Sequence, residues 1–136
     1  MRHRSGFTLI ELMIVVVIIG VLASIAIANY VRMKAHANEA QVKSDVHTVQ
    51  LAVEDYGVTH EGNYSDAGAD LVPLLPGGQL LTNAFTRNLS EPQFGAMAAA
   101  PGEIGVQVVQ IGGLPSAYTI TGFGKEEMVL TVRGGQ

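Results

Sequence analysis

Glu11 is the residue whose chemistry asks for an explanation: it stands inside "GFTLIELMIVVVIIGVLASIAIA", Gly6 to Ala28, a run otherwise apolar enough for a lipid bilayer. A charge near a bilayer centre costs on the order of 2.5–3.5 kcal/mol on insertion scales, so a carboxylate retained there has a task. The other chemistry-bearing side chains make no constellation. His3, His36, His47 and His60 include no H-E-x-x-H pair, and the chain has no cysteine to complete a zinc site or a disulfide. Glu61, Asp66 and Asp70 lack the oxygen-ligand spacing of a calcium loop. No nucleophile elbow and no G-x-x-x-x-G-K-[ST] phosphate loop occurs. A non-enzymatic protein without metal or cofactor is expected.

Composition narrows the partners. The formal charge is −4, and Arg32, Lys34, Lys43, Arg87, Lys125 and Arg133 are scattered rather than gathered into a phosphate-binding patch, so no specific nucleic acid is expected. With 136 residues there is room for an apolar anchor and one small domain.

From Leu12 to Ala28 there is no charge, and with Phe7–Ile10 the run reaches the roughly 20 residues of a spanning helix. Arg2, His3 and Arg4 precede it and favour an N-terminus on the cytoplasmic side. Three readings compete. A secretory signal peptide would end at the A-x-A-like Ala26-Ile27-Ala28 and release a periplasmic binding domain, but it tolerates Glu11 poorly and its apolar core is usually only about 7–15 residues. A plain single-pass anchor explains the length and leaves Glu11 without a purpose.

The third reading rests on Gly6, Phe7, Thr8, Leu9, Ile10, Glu11 and Leu12 behind a short basic leader. This stretch resembles the type IV pilin family, including the pseudopilins of type II secretion. The resemblance implies cleavage between Gly6 and Phe7 by a prepilin peptidase, which also methylates the new Phe7 amine. It implies an inner-membrane precursor that polymerises with identical and related subunits into a pilus or a periplasmic pseudopilus, with a platform protein and an assembly ATPase supplying the work. Glu11 would then be the assembly charge partner of the Phe7 amine, mainly that of an adjacent subunit, with a pair inside one chain as the alternative. Pilin and pseudopilin remain open alternatives. Glycine at position 6 fits a protease cleft that must admit bare backbone.

The elements that must position these residues follow from periodicity. Val42, Val46, Val49, Val53 and Tyr56 recur at helical spacing and predict a stripe packed on a sheet. Lys43, Asp45, His47, Glu54 and Asp55 lie between them and are expected to face water or neighbouring subunits. No proline interrupts Phe7–Tyr56, so one helix is expected, its apolar half protruding and Gly57 its cap. Gly20 is its expected weak point. Beyond it, a connecting region with a helical turn near Asp70–Leu75 leads to strands at Gly105–Ile111, Tyr118–Gly122 and Met128–Val132. The expected fold is α+β, pilin-like, divided into leader (1–6), membrane or filament-core half-helix (7–28), amphipathic half-helix (29–57), and connecting region with a small antiparallel sheet of about three strands (58–136).

Overall fold

The computed structural model describes residues 6–135; Arg2, His3 and Arg4 of the expected leader lie outside the described residues. Helix α1 runs Leu9–Thr59, and the chain divides into two compact units, through Ala35 and from His36 onward. In the first unit the helix carries no charge from Leu12 to Val31 and exposes its apolar side chains, as with Leu9 at 76 % and Val17 at 64 %. The helix is long and apolar enough to cross a membrane.

The second unit is α+β. Short helix α2 (Gly68–Leu71) continues into a 3-10 turn at Val72–Leu74. Strands β1 (Leu81–Thr82) and β2 (Leu89–Glu91) form a small antiparallel pair. Strands β3 (Gln93–Phe94), β4 (Ile104–Ile111), β5 (Leu114–Phe123) and β6 (Met128–Gly135) make a sheet in that order. Neighbours β4, β5 and β6 pair antiparallel, as expected, while β3 adds a short parallel edge to β4.

Val42, Val46, Val49 and Val53 are buried on α1 among Ile104, Val106, Tyr118 and Ile120, with Tyr56 partly buried beside them. Alternation on β5 sends Tyr118 and Ile120 to this inner face. Gly122 completes that row, and a Cβ there would lie 2.8 Å from Val46 and 3.0 Å from Val42. Its missing side chain lets the valine stripe settle on the sheet. On the opposite face Thr121, also buried, accepts a hydrogen bond from the Ala98 backbone at 2.8 Å, tying down the 96–101 segment.

Two expectations about α1 need correction. Gly57 does not end the helix; it is buried inside it, where a Cβ would stand 2.5 Å from the Tyr64 ring. The stop comes later: Glu61 (φ 58°) and Gly62 (φ 82°) turn left-handed, and Gly62 N–H reaches back to Gly57 C=O at 2.9 Å, the six-to-one bond of a Schellman ending. Glu54 likewise does not face water. It is half-buried, because two tyrosine hydroxyls reach it from beyond the helix.

The strands exceed their sequence estimates where pairing, not propensity, sets their length. Strand β5 begins at Leu114 and carries Pro115 near its start, where the missing N–H is tolerated. The expected helical turn near Asp70–Leu75 lies at α2 and the following 3-10 turn, with Ser65 donating to Asp70 at 2.6 Å and accepting from Ala67 N–H at 3.1 Å.

Candidate functional site

The start of α1 builds the site. Thr8 precedes the first helical residue, and its carbonyl accepts the Leu12 N–H at 3.3 Å. Glu11 folds back so that Oε2 receives both the Thr8 N–H and the Thr8 hydroxyl at 2.8 Å. The Thr8 oxygen in turn accepts the Glu11 N–H at 3.3 Å. This is a capping box, the reciprocal S/T-x-x-E arrangement that satisfies otherwise orphaned N–H groups. The "TLIE" spacing carried that signal in the sequence, and reasoning from bilayer cost alone missed it.

Glu11 thus has neutral local partners in the chain before any cleavage, and no cation faces it among the described residues. Gly6 and Phe7 lie just outside the helix, exposed, and a Cβ at Gly6 would meet nothing within 4 Å. The backbone is therefore open at the expected cleavage point. Gly20 lies in unbroken helix, also with nothing within 4 Å of a Cβ, and Ser24 turns its hydroxyl back to the Val21 carbonyl at 2.7 Å.

A second polar cluster locks α1 to the sheet. Tyr118 donates to Glu54 Oε1, Tyr64 donates to Oε2 at 3.4 Å, and Gln50 donates to the Tyr118 hydroxyl at 3.5 Å. The two tyrosine rings meet edge to face with centroids 4.9 Å apart. Burial, reinforced by the hydrogen bond to Glu54, pushes the Tyr118 phenol up to about 12. Tyr64 is raised for the same two reasons, with the Glu54 charge adding to them. Asp45 is raised by burial, partly offset by a hydrogen bond from Gln41.

Glu91 centres a third cluster. Though almost fully buried, it accepts from Asn83 Nδ2 (2.9 Å), Ser90 Oγ (2.9 Å) and the Ile104 N–H (2.9 Å). Asn83 Oδ1 meanwhile accepts the Phe85 and Thr86 N–H groups. Three neutral donors around one carboxylate hold two loops and β4 together. Asp66 similarly caps the Val108 N–H at 3.0 Å. The histidines stand apart: His60 stacks on Tyr56 with centroids 3.8 Å apart, His47 contacts Gln50, and His36 pairs with Glu39 at 3.7 Å. Among the described residues no three acidic or histidine side chains gather to hold a metal ion.

Residues 1–27 match the family model described as the prokaryotic N-terminal methylation motif. The chain is 43 % identical over 65 residues to the type IV major pilin protein PilA of Myxococcus xanthus, covering 48 % of this chain and 29 % of that protein. It is 39 % identical over 92 residues to the type II secretion system core protein G of Vibrio cholerae, covering 67 % of this chain and 60 % of that one. Similarity to the type IV major fimbrial protein FimA of Dichelobacter nodosus is 36 % over 105 residues, or 77 % and 61 % of the two chains. The chain thus spans less than two thirds of these relatives' own lengths. No solved structure matches. Its relatives are type IV pilins and type II secretion pseudopilins.

Proposed function

We propose that this chain is the structural subunit of a type IV pilus or of a type II secretion pseudopilus. It is inserted in the inner membrane with its N-terminus cytoplasmic, cleaved between Gly6 and Phe7, methylated at Phe7, and polymerised through α1. The observation that carries this reading is the join of two features: an exposed apolar half-helix without charge from Leu12 to Ala28, and a motif at its start that holds a carboxylate at its third residue. Such a surface must be covered by lipid or by like helices, since exposed apolar patches of this extent do not persist in water.

Cleavage supplies the charge partner. It turns the Phe7 N–H into a cationic amine about one helical turn from Glu11. In a filament the amine of one subunit meets Glu11 of its neighbour. The Thr8 cap can release Glu11 to that partner because the cap's donors carry no charge, whereas the amine brings a full opposite charge to a carboxylate held out of water. Burying the pair adds little net stability, but leaving either charge alone costs several kcal/mol, so the pair selects register rather than supplying adhesion.

Prepilin peptidase with methyltransferase activity, a membrane platform and a separate motor ATPase are the implied partners. Intact mass of the mature protein tests the reading. A chain starting at N-methylated Phe7 supports it, whereas a chain starting at Asn29 establishes a secreted domain instead. Glu11→Ala should leave insertion and cleavage intact and remove most polymer; abundant normal filaments from that variant would defeat the assembly role. Deleting the gene separates the two filament types, since lost surface fibres mean a pilin and lost protein export a pseudopilin.

A further inference from the structure

Outside the core, α1 carries apolar residues that its own domain leaves uncovered. Leu51 is 71 % exposed, on the side of the helix turned away from the Val42–Val53 stripe. Beside it Leu74 and Pro76 rise from the 3-10 turns, and with Thr48, Ala52 and Asp55 they line a groove of about 350 Å³. Its floor is apolar and its rim carries one carboxylate. Asp55 is exposed and takes part in none of the ion pairs found among the described residues.

The complementary surface is on the same chain. Tyr30-Val31-Arg32-Met33-Lys34 is exposed throughout, with Met33 at 70 %, and Arg32 and Lys34 also make none of those ion pairs. Between Leu12 and Met33, Arg32 is the first charge the helix carries after its apolar run. A flexible thioether between two cations fits a shallow apolar groove edged by a carboxylate.

We propose that the Leu51–Leu74 groove receives the Tyr30–Lys34 stretch of a second copy of this chain, with Met33 seated on Leu51 and Arg32 or Lys34 paired with Asp55. This rests on the filament reading and deepens it by naming a contact between subunits. Copies joined in this way lie parallel and are offset by eighteen residues along α1, the separation of Met33 from Leu51. The contact is heterologous, one patch meeting a different patch, so it propagates into a helical polymer instead of closing into a dimer. The apolar contact holds the copies together and the cations flank it, while insertion of every copy in one membrane with the same end cytoplasmic sets the helices parallel.

The absence of cysteine makes the test clean. Full-length Met33→Cys and Leu51→Cys copies are co-expressed, filaments are sheared and oxidised, and cross-linked peptides are identified by mass spectrometry. The expected result is a disulfide joining positions 33 and 51, at least tenfold more abundant than in a Met33→Cys and Val109→Cys pair. Filaments that form without the 33–51 link, or with it no more often than the control, overturn the proposal. If the native chain makes no filaments, the filament reading fails and takes this contact with it. Asp55→Lys should lower filament yield at least tenfold, and adding Arg32→Glu with Lys34→Glu should restore it. Filaments from Asp55→Lys at native yield, or no recovery in the triple variant, would overturn the pairing of Asp55 with these cations.

Discussion

Thr8 and Glu11 satisfy one another across the first turn of α1, each accepting a backbone N–H from the other while the hydroxyl donates to the carboxylate. The acid is therefore a cap in the single chain, and the assembly role we propose for it begins when a cation replaces the cap's neutral donors. One side chain can hold both tasks because they belong to different states of the chain.

Thr8→Val keeps the side chain's shape and removes its hydroxyl. The loss of an N-terminal cap costs about 1 kcal/mol, so amide hydrogen exchange of Glu11 and Leu12 in detergent micelles should accelerate roughly fivefold. Exchange at Val46 and Val49, on the far side of the helix in sequence, should be unchanged. An unaltered first turn would show that the helix start is held by something other than the box.

Tyr118 makes the fold sensitive to alkali. Its phenol titrates near 12 in the folded chain against an ordinary value of 10.0, so the protonated form is the one the fold favours. That contribution is complete below pH 10 and is lost as pH rises toward 12. Thermal denaturation followed between those values should show a falling midpoint, and Tyr118→Phe should flatten the dependence. It should also lower stability at neutral pH by about 1 kcal/mol, because Glu54 keeps only the Tyr64 hydroxyl.

Glu91 cannot be exchanged for its amide. All three of its partners are donors, so Glu91→Gln must turn an NH2 group toward Ile104 N–H or toward Asn83 Nδ2 and Ser90 Oγ. A buried donor left facing a donor costs about 1–3 kcal/mol. Urea unfolding followed by near-ultraviolet circular dichroism should show the unfolding free energy fall by that amount and the midpoint move down with it, and an unchanged midpoint would mean that the loops are held without this carboxylate.

Gly20 interrupts an otherwise β-branched and aliphatic run, and a glycine in helix costs about 0.8–1.0 kcal/mol relative to alanine. Ser24 adds a back-bond that weakens the same stretch. The helix is continuous there in the single chain, and we expect it to melt around Gly20 on assembly. Gly20→Ala should retain ordered helix in a filament map where the native chain loses it; regular density through Gly20 and Ser24 in the native filament would refute this.

Helical periodicity made the long helix legible because one local pattern repeats along it, and the three principal strands were legible for the same reason. The strands β1, β2 and β3 were not, since two or three residues hold no period and exist only because a partner lies alongside. Gly57 was misread for a related reason. A glycine at the end of an apolar stripe looks like a cap, and only the position of Tyr64, seven residues on, shows that it makes room for a ring. The capping box, by contrast, was fully written in Thr8 and Glu11 and was overlooked beside the larger question of charge in lipid.

The sequence alone determined the apolar half-helix, its odd carboxylate and the motif around Gly6 and Phe7, because these depend on composition and short spacing that no tertiary contact alters. Tertiary structure alone decided the fate of Glu54, which spacing assigns to solvent and which Tyr118 and Tyr64 claim from 64 and 10 residues away. It also decided Glu91, whose burial depends on loops meeting β4, and the groove at Leu51, which exists only because Leu74 folds back beside the helix. Local patterns fix what a segment can become, while the partner of a polar or apolar side chain is set by whichever distant residue the fold brings within reach.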